Sequence, residues 1–283
     1  MTLEALTGNS HPLLDVRSLE DFRQRHVRGS SQIPWPALKE RMHELPASHQ
    51  PLNVLSDADA ESEVQQFLTG KGYQVEKILV SSDALWAQIE QMSLSESGQS
   101  CIPLWRANPL LIENIGTIES LTEGRRALDL AAGAGRDAVF LAKRGWNVMA
   151  VDIKQDALNR VLDLATQNEV SEKIDTLKLD LEAGTERLPF EAESYDLIIV
   201  MRYLYRPLLP KLSSLLKDEG LLFYSTFMEG SEKFGSPRNP NYLLRKGELA
   251  ETYSGLTIIK DHIHHLPDGR PVASFLAQKP KGN

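Results

Sequence analysis

The sequence predicts an α/β protein in two pieces: a small α/β domain, then a larger sheet that binds a nucleotide-like ligand at its strand ends. Three observations predict this. RALDLAAGAGRDAVFLAKRGWNVMAVD, from Arg126 to Asp152, reads as strand, glycine turn, helix and strand. Short apolar runs alternate with helix-period stretches on both sides of it, the pattern of parallel sheets. SLSESGQS, residues 93–100, is small and polar and marks a domain boundary. The expected domains are residues 1–92 and 125–283, with a linker and lid segment over 93–124.

In the first piece, PLLDVR (12–17) is a short apolar strand. Ser18 caps the helix that follows, with Asp21 completing an approximate capping box. HVRGSSQIPW is a loop marked by glycine and proline, and a helix runs from Pro36 to about His43. LNVL (52–55) is a buried strand. SDADAES leads into a helix of about ten residues closed by Gly70 and Gly72. VEKILV (75–80) is a further strand.

Residues 93–124 are less regular, and Cys101, Trp105 and Leu110 are expected to form an arm over the ligand site. Ala127 to Leu130 is then a strand interrupted by one acid, Asp129. Gly133 and Gly135 permit a tight turn. A helix starts near Arg136 and stops at Gly145. Val148 to Val151 is a second strand, with Asp152 at its end. A helix over 155–167 places Leu158, Val161, Leu162 and Ala165 on one face. IDTLKLDLE is a third strand ending at Asp180, and YDLIIVMR (195–202) a fourth. Leu204 to Leu216 is helical, interrupted by Pro210. GLLFYSTF is the fifth strand, Leu244 to Tyr253 a helix, and LTIIKDHIHHL with PVASFLAQK a closing pair.

The composition is 41% hydrophobic and 25% charged, enough for a sizeable core, and the net charge is −8. Acidity argues against nucleic acid, whose phosphates need clustered Lys and Arg. Residues 1–100 carry 8 Lys and Arg against 14 Asp and Glu, the rest 23 against 25. A single cysteine, Cys101, excludes an intramolecular disulfide. No apolar run suits a membrane span and no signal pattern opens the chain, so a cytoplasmic protein is expected.

GAGRDA fits a dinucleotide fingerprint, with Asp152 about 20 residues after the turn opens. The charge opposes that reading, because Asp129 would repel a pyrophosphate at the helix N-terminus and would suit an ammonium group. DLAAGAG resembles the first motif of class I S-adenosylmethionine-dependent methyltransferases, with Ala131 where that family has its first glycine. The likeness covers residues 125–279 and implies a seven-stranded Rossmann-like sheet whose last strand is antiparallel, with S-adenosylmethionine as cofactor. It implies that Asp129 meets the methionine ammonium and that Ala131, Gly133 and Gly135 bring backbone to the ligand. Asp152 would take the ribose hydroxyls, Ile153 an adenine face, Asp180 with Leu181 the adenine edge, and Met201 the end of the fourth strand. Acceptor positioning falls to Arg202, Tyr203 and Tyr205, near Arg206 and Phe227, where aromatic walls and cations suit an anionic or polarisable acceptor. GAGRDAVFLAKRGWNV is most similar to the tellurite-resistance and thiopurine-type branch, which implies a small acceptor carrying sulfur, selenium, tellurium or oxygen. Arg106 is a candidate oxyanion contact, and Arg238 with Tyr242 are candidates to close over the acceptor. His262, His264 and His265 read as an exposed strand rather than a metal site.

LLDVRSLEDFRQRHVRGSSQIP resembles the opening of a rhodanese domain over about residues 10–90, with His26 and Gly29 in register. The position of that family's nucleophilic cysteine is Ser56 here, and its arginine falls on Glu61. A hydroxyl cannot carry a persulfide, and Asp57, Asp59 and Glu61 make an anion-attracting loop repulsive. The resemblance therefore implies a catalytically dead module serving docking, dimerisation or acceptor delivery. Two other readings share these residues: a non-enzymatic S-adenosylmethionine-binding scaffold, and an NAD-linked oxidoreductase built on GAGRDA.

Overall fold

The computed structural model describes residues 11–46, 48, 50–99, 102–183 and 188–282, so Cys101 lies outside the described residues. The chain divides into two compact units, 1–106 and 107–283. The segment expected as one linker over 93–124 is thus split between them.

In the first unit the elements run β1 (Leu13–Asp15), α1 (Leu19–Gln24), β2 (His26–Val27), β3 (Ser31–Gln32), α2 (Trp35–Leu38), β4 (Leu52–Ser56), α3 (Glu61–Gly70), β5 (Val75–Val80), α4 (Asp83–Gln91) and β6 (Ser95–Glu96). The four-stranded sheet has the order β3-β1-β4-β5, and every pairing in it is parallel. Ser18 caps α1 by accepting from the Asp21 N–H, as its spacing predicts. The predicted helix at 36–43 is only one turn, Trp35–Leu38, followed by a 3₁₀ turn at Met42–Glu44. Helix α4 was not anticipated, though its signals are present. Ser82 caps it, and Trp86 and Ile89 are its buried face. The polar stretch at 93–99 is pinned rather than free. β6 pairs antiparallel with β2, Arg28 N–H donates to the Leu94 carbonyl at 2.7 Å and Gly98 N–H to the Arg23 carbonyl at 2.8 Å.

In the second unit, α5 (Pro109–Leu121) precedes β7 (Arg126–Leu130), α6 (Arg136–Lys143), β8 (Asn147–Asp152), α7 (Gln155–Gln167), β9 (Ile174–Lys178), β10 (Tyr195–Met201), α8 (Leu209–Leu212), β11 (Leu216–Ser225), α9 (Glu248–Thr252), β12 (Thr257–His265) and β13 (Pro271–Gln278). The strands form one sheet in the order β12-β13-β11-β10-β7-β8-β9. Strand β13 is antiparallel to both of its neighbours, while β11, β10, β7, β8 and β9 pair in parallel. No described helix is long and apolar enough to cross a membrane.

Chemistry at the strand ends is set by this order. β7 has β8 on one side and β10 on the other, so the direction of strand addition reverses between β7 and β10, where open α/β sheets hold ligands. All seven residues of β10 are buried, as a central parallel strand requires. In β7, Leu128 and Leu130 face the large apolar cluster shared with β10, β11 and α8. The alternation leaves Ala127 and Asp129 on the other face. At the opposite end of the sheet the buried Asp196 closes the structure. It accepts from the Arg126 N–H at 2.9 Å and from Lys217 Nζ at 2.9 Å, joining β10 to β7 and β11.

Several boundaries differ from expectation. Helix α5 replaces the irregular arm: Asn108 caps it onto the Leu110 N–H, Pro109 opens it, and Leu110, Leu111, Ile115 and Ile118 are buried. Leu110 is therefore held in a helix of the second unit, and Leu104 packs into the first unit's core. On α7 the buried face uses Leu164, while Leu162 is exposed. β9 ends at Lys178, so Asp180 lies beyond it. Residues 204–216 break into short turns around Pro207 and Pro210. The helix expected from Leu244 begins only at Glu248, because Gly247 takes φ +79 ahead of it.

The glycine turn is under backbone constraint. Ala131, Gly133 and Gly135 take φ of +58, +57 and +78, and a Cβ on Gly135 would stand 2.7 Å from Val161 of α7. Gly135→Ala is expected to destabilise the chain by about 1–3 kcal/mol through overpacking and left-handed strain. Ala131→Gly relieves a left-handed alanine and is expected to stabilise by up to about 1 kcal/mol. Urea unfolding of the three proteins checks both signs.

Candidate functional site

The crevice lies at the carboxyl ends of β7, β8 and β10. The turn from Ala131 to Gly135 crosses it and delivers α6, whose first turn points its free N–H groups back at β7. Around Gly133 a Cβ would meet nothing within 4 Å, so the backbone there faces open space. Gly145 ends α6 at φ +90: its N–H bonds the Ala142 carbonyl and the Trp146 N–H reaches Leu141, a Schellman closure.

Asp129 is the most perturbed group in the crevice. It is 1% exposed, and its Oδ2 has no hydrogen-bond partner among the described residues. Burial pushes its carboxyl well above the usual range, and the charges of Asp137 and Asp152 add to the effect. The Ala138 N–H, in the first turn of α6, pulls the other way. Asp137 is itself raised by burial, although the Asn108 N–H donates to it at 2.6 Å. Sequence reasoning passed over Asp137 and Asn108. The tie between them fastens the start of α5 to the start of α6. Three carboxyls around one helix N-terminus repel a pyrophosphate and attract a cation.

Asp152 stands at the end of β8 and is already engaged on both oxygens. Oδ2 accepts from the Gly133 N–H and Oδ1 from the Lys154 N–H, each at 2.9 Å. A carboxylate oxygen has capacity beyond one donor, so hydroxyls can still be received. Ile153 beside it is 51% exposed, an apolar surface open to a flat ring. Asp180 is exposed, and its Oδ1 accepts from the Glu182 N–H at 2.8 Å. The Leu181 side chain is buried in the core, which leaves only its backbone for a ligand.

On the other side of β10, Met201 is buried and Arg202 follows at φ +59. The Tyr203 and Tyr205 hydroxyls reach Glu182, on Oε1 at 3.4 Å and on its carbonyl at 3.3 Å. Burial, with Glu182 next to it, pushes the Tyr203 phenol far up, so it stays a proton donor. Arg206 is otherwise committed: Glu248 holds its Nε at 2.6 Å, and it donates to the Asn241 and Leu243 carbonyls. It orders the 241–245 loop. Tyr242 is exposed, and Arg238 lines a shallow surface depression with Glu229 and Glu232. Arg106 is exposed at the end of the first unit. His262, His264 and His265 are exposed on β12.

In the first unit, Ser56 is buried at the end of β4, and its hydroxyl donates to the Asp57 carbonyl at 3.0 Å. Burial raises the Asp57 carboxyl, with Asp21 and Asp59 adding to it. His26 is buried, stacked on Phe22 at 4.0 Å, with Nδ1 2.9 Å from the Phe22 carbonyl. Gly29 has φ +78.

A family described as "Methyltransferase domain" matches residues 127–220. An uncharacterized protein of Schizosaccharomyces pombe is 28% identical over 98% of this chain and 96% of its own length. A ubiquinone biosynthesis O-methyltransferase of Dechloromonas aromatica is 29% identical over 47% of this chain, which spans 56% of that enzyme. The solved structure of TehB from Haemophilus influenzae is 18% identical, with a TM-score of 0.49 over 59% of this chain and 62% of its own.

The crevice fits S-adenosylmethionine: an unpartnered buried carboxylate oxygen for an ammonium, an open glycine backbone and a carboxylate for hydroxyls. Asp129→Asn should therefore weaken S-adenosylmethionine binding about tenfold or more. The same change should stabilise the ligand-free chain at pH 8. A buried carboxyl with a raised pKa costs stability as pH rises through its folded value, and an amide carries no such cost. The difference should vanish near about pH 4, below the titration. Thermal melts across pH, with calorimetric titration, check both. The methyltransferase domain matched over residues 127–220 and the methyltransferase relative together show that the chain is an enzyme, an S-adenosylmethionine-dependent methyltransferase.

Proposed function

We propose that this enzyme transfers a methyl group to a small molecule that is anionic or carries a soft sulfur, selenium or tellurium atom, or an oxygen. The observation behind the acceptor class is the cluster after β10 and β11: Arg202, Tyr203, Tyr205 and Phe227, with Arg206 withdrawn into the Glu248 ion pair. S-adenosylmethionine supplies a methyl group already activated on a sulfonium. The chain's task is then mainly positioning. Asp129 fixes the amino-acid end, Asp152 the sugar, Ile153 and the Leu181 backbone the base, and Met201 the floor between donor and acceptor. Tyr203 and Tyr205, tied to Glu182, set the wall that the acceptor meets.

For the first unit we propose a rhodanese-like module over 1–92 without sulfur-transfer chemistry. The parallel order β3-β1-β4-β5 and a serine hydroxyl at the end of β4 support it. Docking, self-association or delivery of the acceptor are the roles open to such a module. A cytoplasmic location is part of the same reading.

The first measurement is calorimetric titration with S-adenosylmethionine, S-adenosylhomocysteine and NAD in parallel. The two sulfur nucleosides should bind, and Asp152→Ala should weaken them about tenfold or more through the lost ribose contacts. Binding of NAD alone would remove the cofactor assignment. Methyl transfer to thiols, selenite or tellurite, followed by S-adenosylhomocysteine release, tests the acceptor class. Thiosulfate-to-cyanide transfer by the full chain should be absent.

A further inference from the structure

We infer that Arg202, backed by Arg270, is a recognition point for a carboxylate on the acceptor; this deepens the methyltransferase reading and rests on it. Arg202 is the first residue beyond β10, and its N–H donates to the Ser225 carbonyl at 2.7 Å. That bond and the positive φ hold the side chain's root at the switch point of the sheet. Its guanidinium lies over the Phe227 ring at 4.7 Å, and the Arg270 guanidinium lies over the same ring at 4.6 Å.

The two cations differ in what they have to bond. Arg270 is satisfied, its Nε donating to Asp268 at 2.9 Å and its Nη1 to the Ser236 carbonyl. Arg202 has no ion pair among the described residues, and its Nη1 is buried without a partner. Burial and the Arg270 charge both work against its proton, while Asp137 and Asp268 are too distant to bond it and only moderate the field. An unpaired, partly buried guanidinium with a buried Nη1, next to a second guanidinium, is costly. A planar anion removes both penalties, and the fork of a guanidinium matches a carboxylate's two oxygens.

Position favours the acceptor over the cofactor's own carboxylate. Phe227 follows β11 and Arg270 precedes β13, both on the far side of β10 from β7 and its glycine turn. The ammonium site at Asp129 is on β7. Arg202 is therefore read as a specificity residue for the acceptor.

The test uses the full chain saturated with S-adenosylhomocysteine, titrated with benzoate and with its neutral isostere benzamide. Benzoate should bind at least about tenfold more tightly than benzamide. Arg202→Gln should remove that preference, Arg202→Lys should restore only part of it, and Arg270→Gln should weaken benzoate. All three variants should keep the S-adenosylhomocysteine affinity within about twofold. Equal binding of the two probes, no benzoate binding, or a preference that survives Arg202→Gln would overturn the inference. So would loss of S-adenosylhomocysteine affinity in a folded Arg202→Lys, which would give the arginine to the cofactor. If the unmutated chain fails to bind S-adenosylhomocysteine, the cofactor reading falls instead, and benzoate against benzamide on the ligand-free chain still decides the arginine.

Discussion

The second unit is organised around a carboxylate that its own fold leaves half-served. Asp129 sits in the central strand of a parallel sheet, where neighbouring positions are aliphatic, and one of its oxygens has no partner. Burying an acid there costs free energy that Leu or Val would have returned. What makes the position tolerable is the start of α6 above it, whose N–H groups and dipole favour negative charge. The turn from Ala131 to Gly135 must therefore be tight enough to bring α6 directly over the strand. That requirement explains three left-handed residues in five and the close contact of Gly135 with Val161.

Asp196 provides the internal comparison. It is nearly as buried, in the neighbouring strand, yet bonds the Arg126 N–H and Lys217. One end of the sheet thus has its buried acid fully paired, and the other end does not. The difference separates an acid that holds strands together from one whose second oxygen the fold leaves unpaired. Arg202 and Arg206 make the same contrast with opposite charge. Arg206 is closed off by Glu248 and two carbonyls, while Arg202, four residues earlier, keeps a buried donor unused.

Much of this was legible in the sequence because it rests on local rules. The glycine turn, the length of α7 and the closing pair of strands follow from periodicity and turn chemistry, while the antiparallel sense of the last strand came with the resemblance to methyltransferases. Asp129 stood out as an acid in an apolar run. The misses have physical causes. Helix α5 was hidden because the stretch around Cys101, Trp105 and Leu110 was expected to form an arm over the ligand site, although Asn108-Pro109 is a helix start. Asp180 was expected to end the third strand, yet pairing stops at Lys178 and the chain turns on the Asp180 side chain. Arg270, Asp137 and Asn108 were invisible for another reason: their roles arise from tertiary neighbours 29 to 68 residues away in the chain, which no local pattern reports.

The sheet ends on β12, and there the structure has a consequence of a different kind. All nine of its residues lie on an open edge, most of them exposed on both faces, with Ile258, Ile259 and Ile263 among them. An uncovered edge is a template for another chain's strand. Lys260, which bonds Asn114 of α5, and Asp261, His262, His264 and His265 interrupt what would otherwise be an adhesive apolar strip. Protection of the sheet's edge thus sits with three strands between it and β7, on polar side chains remote from the crevice.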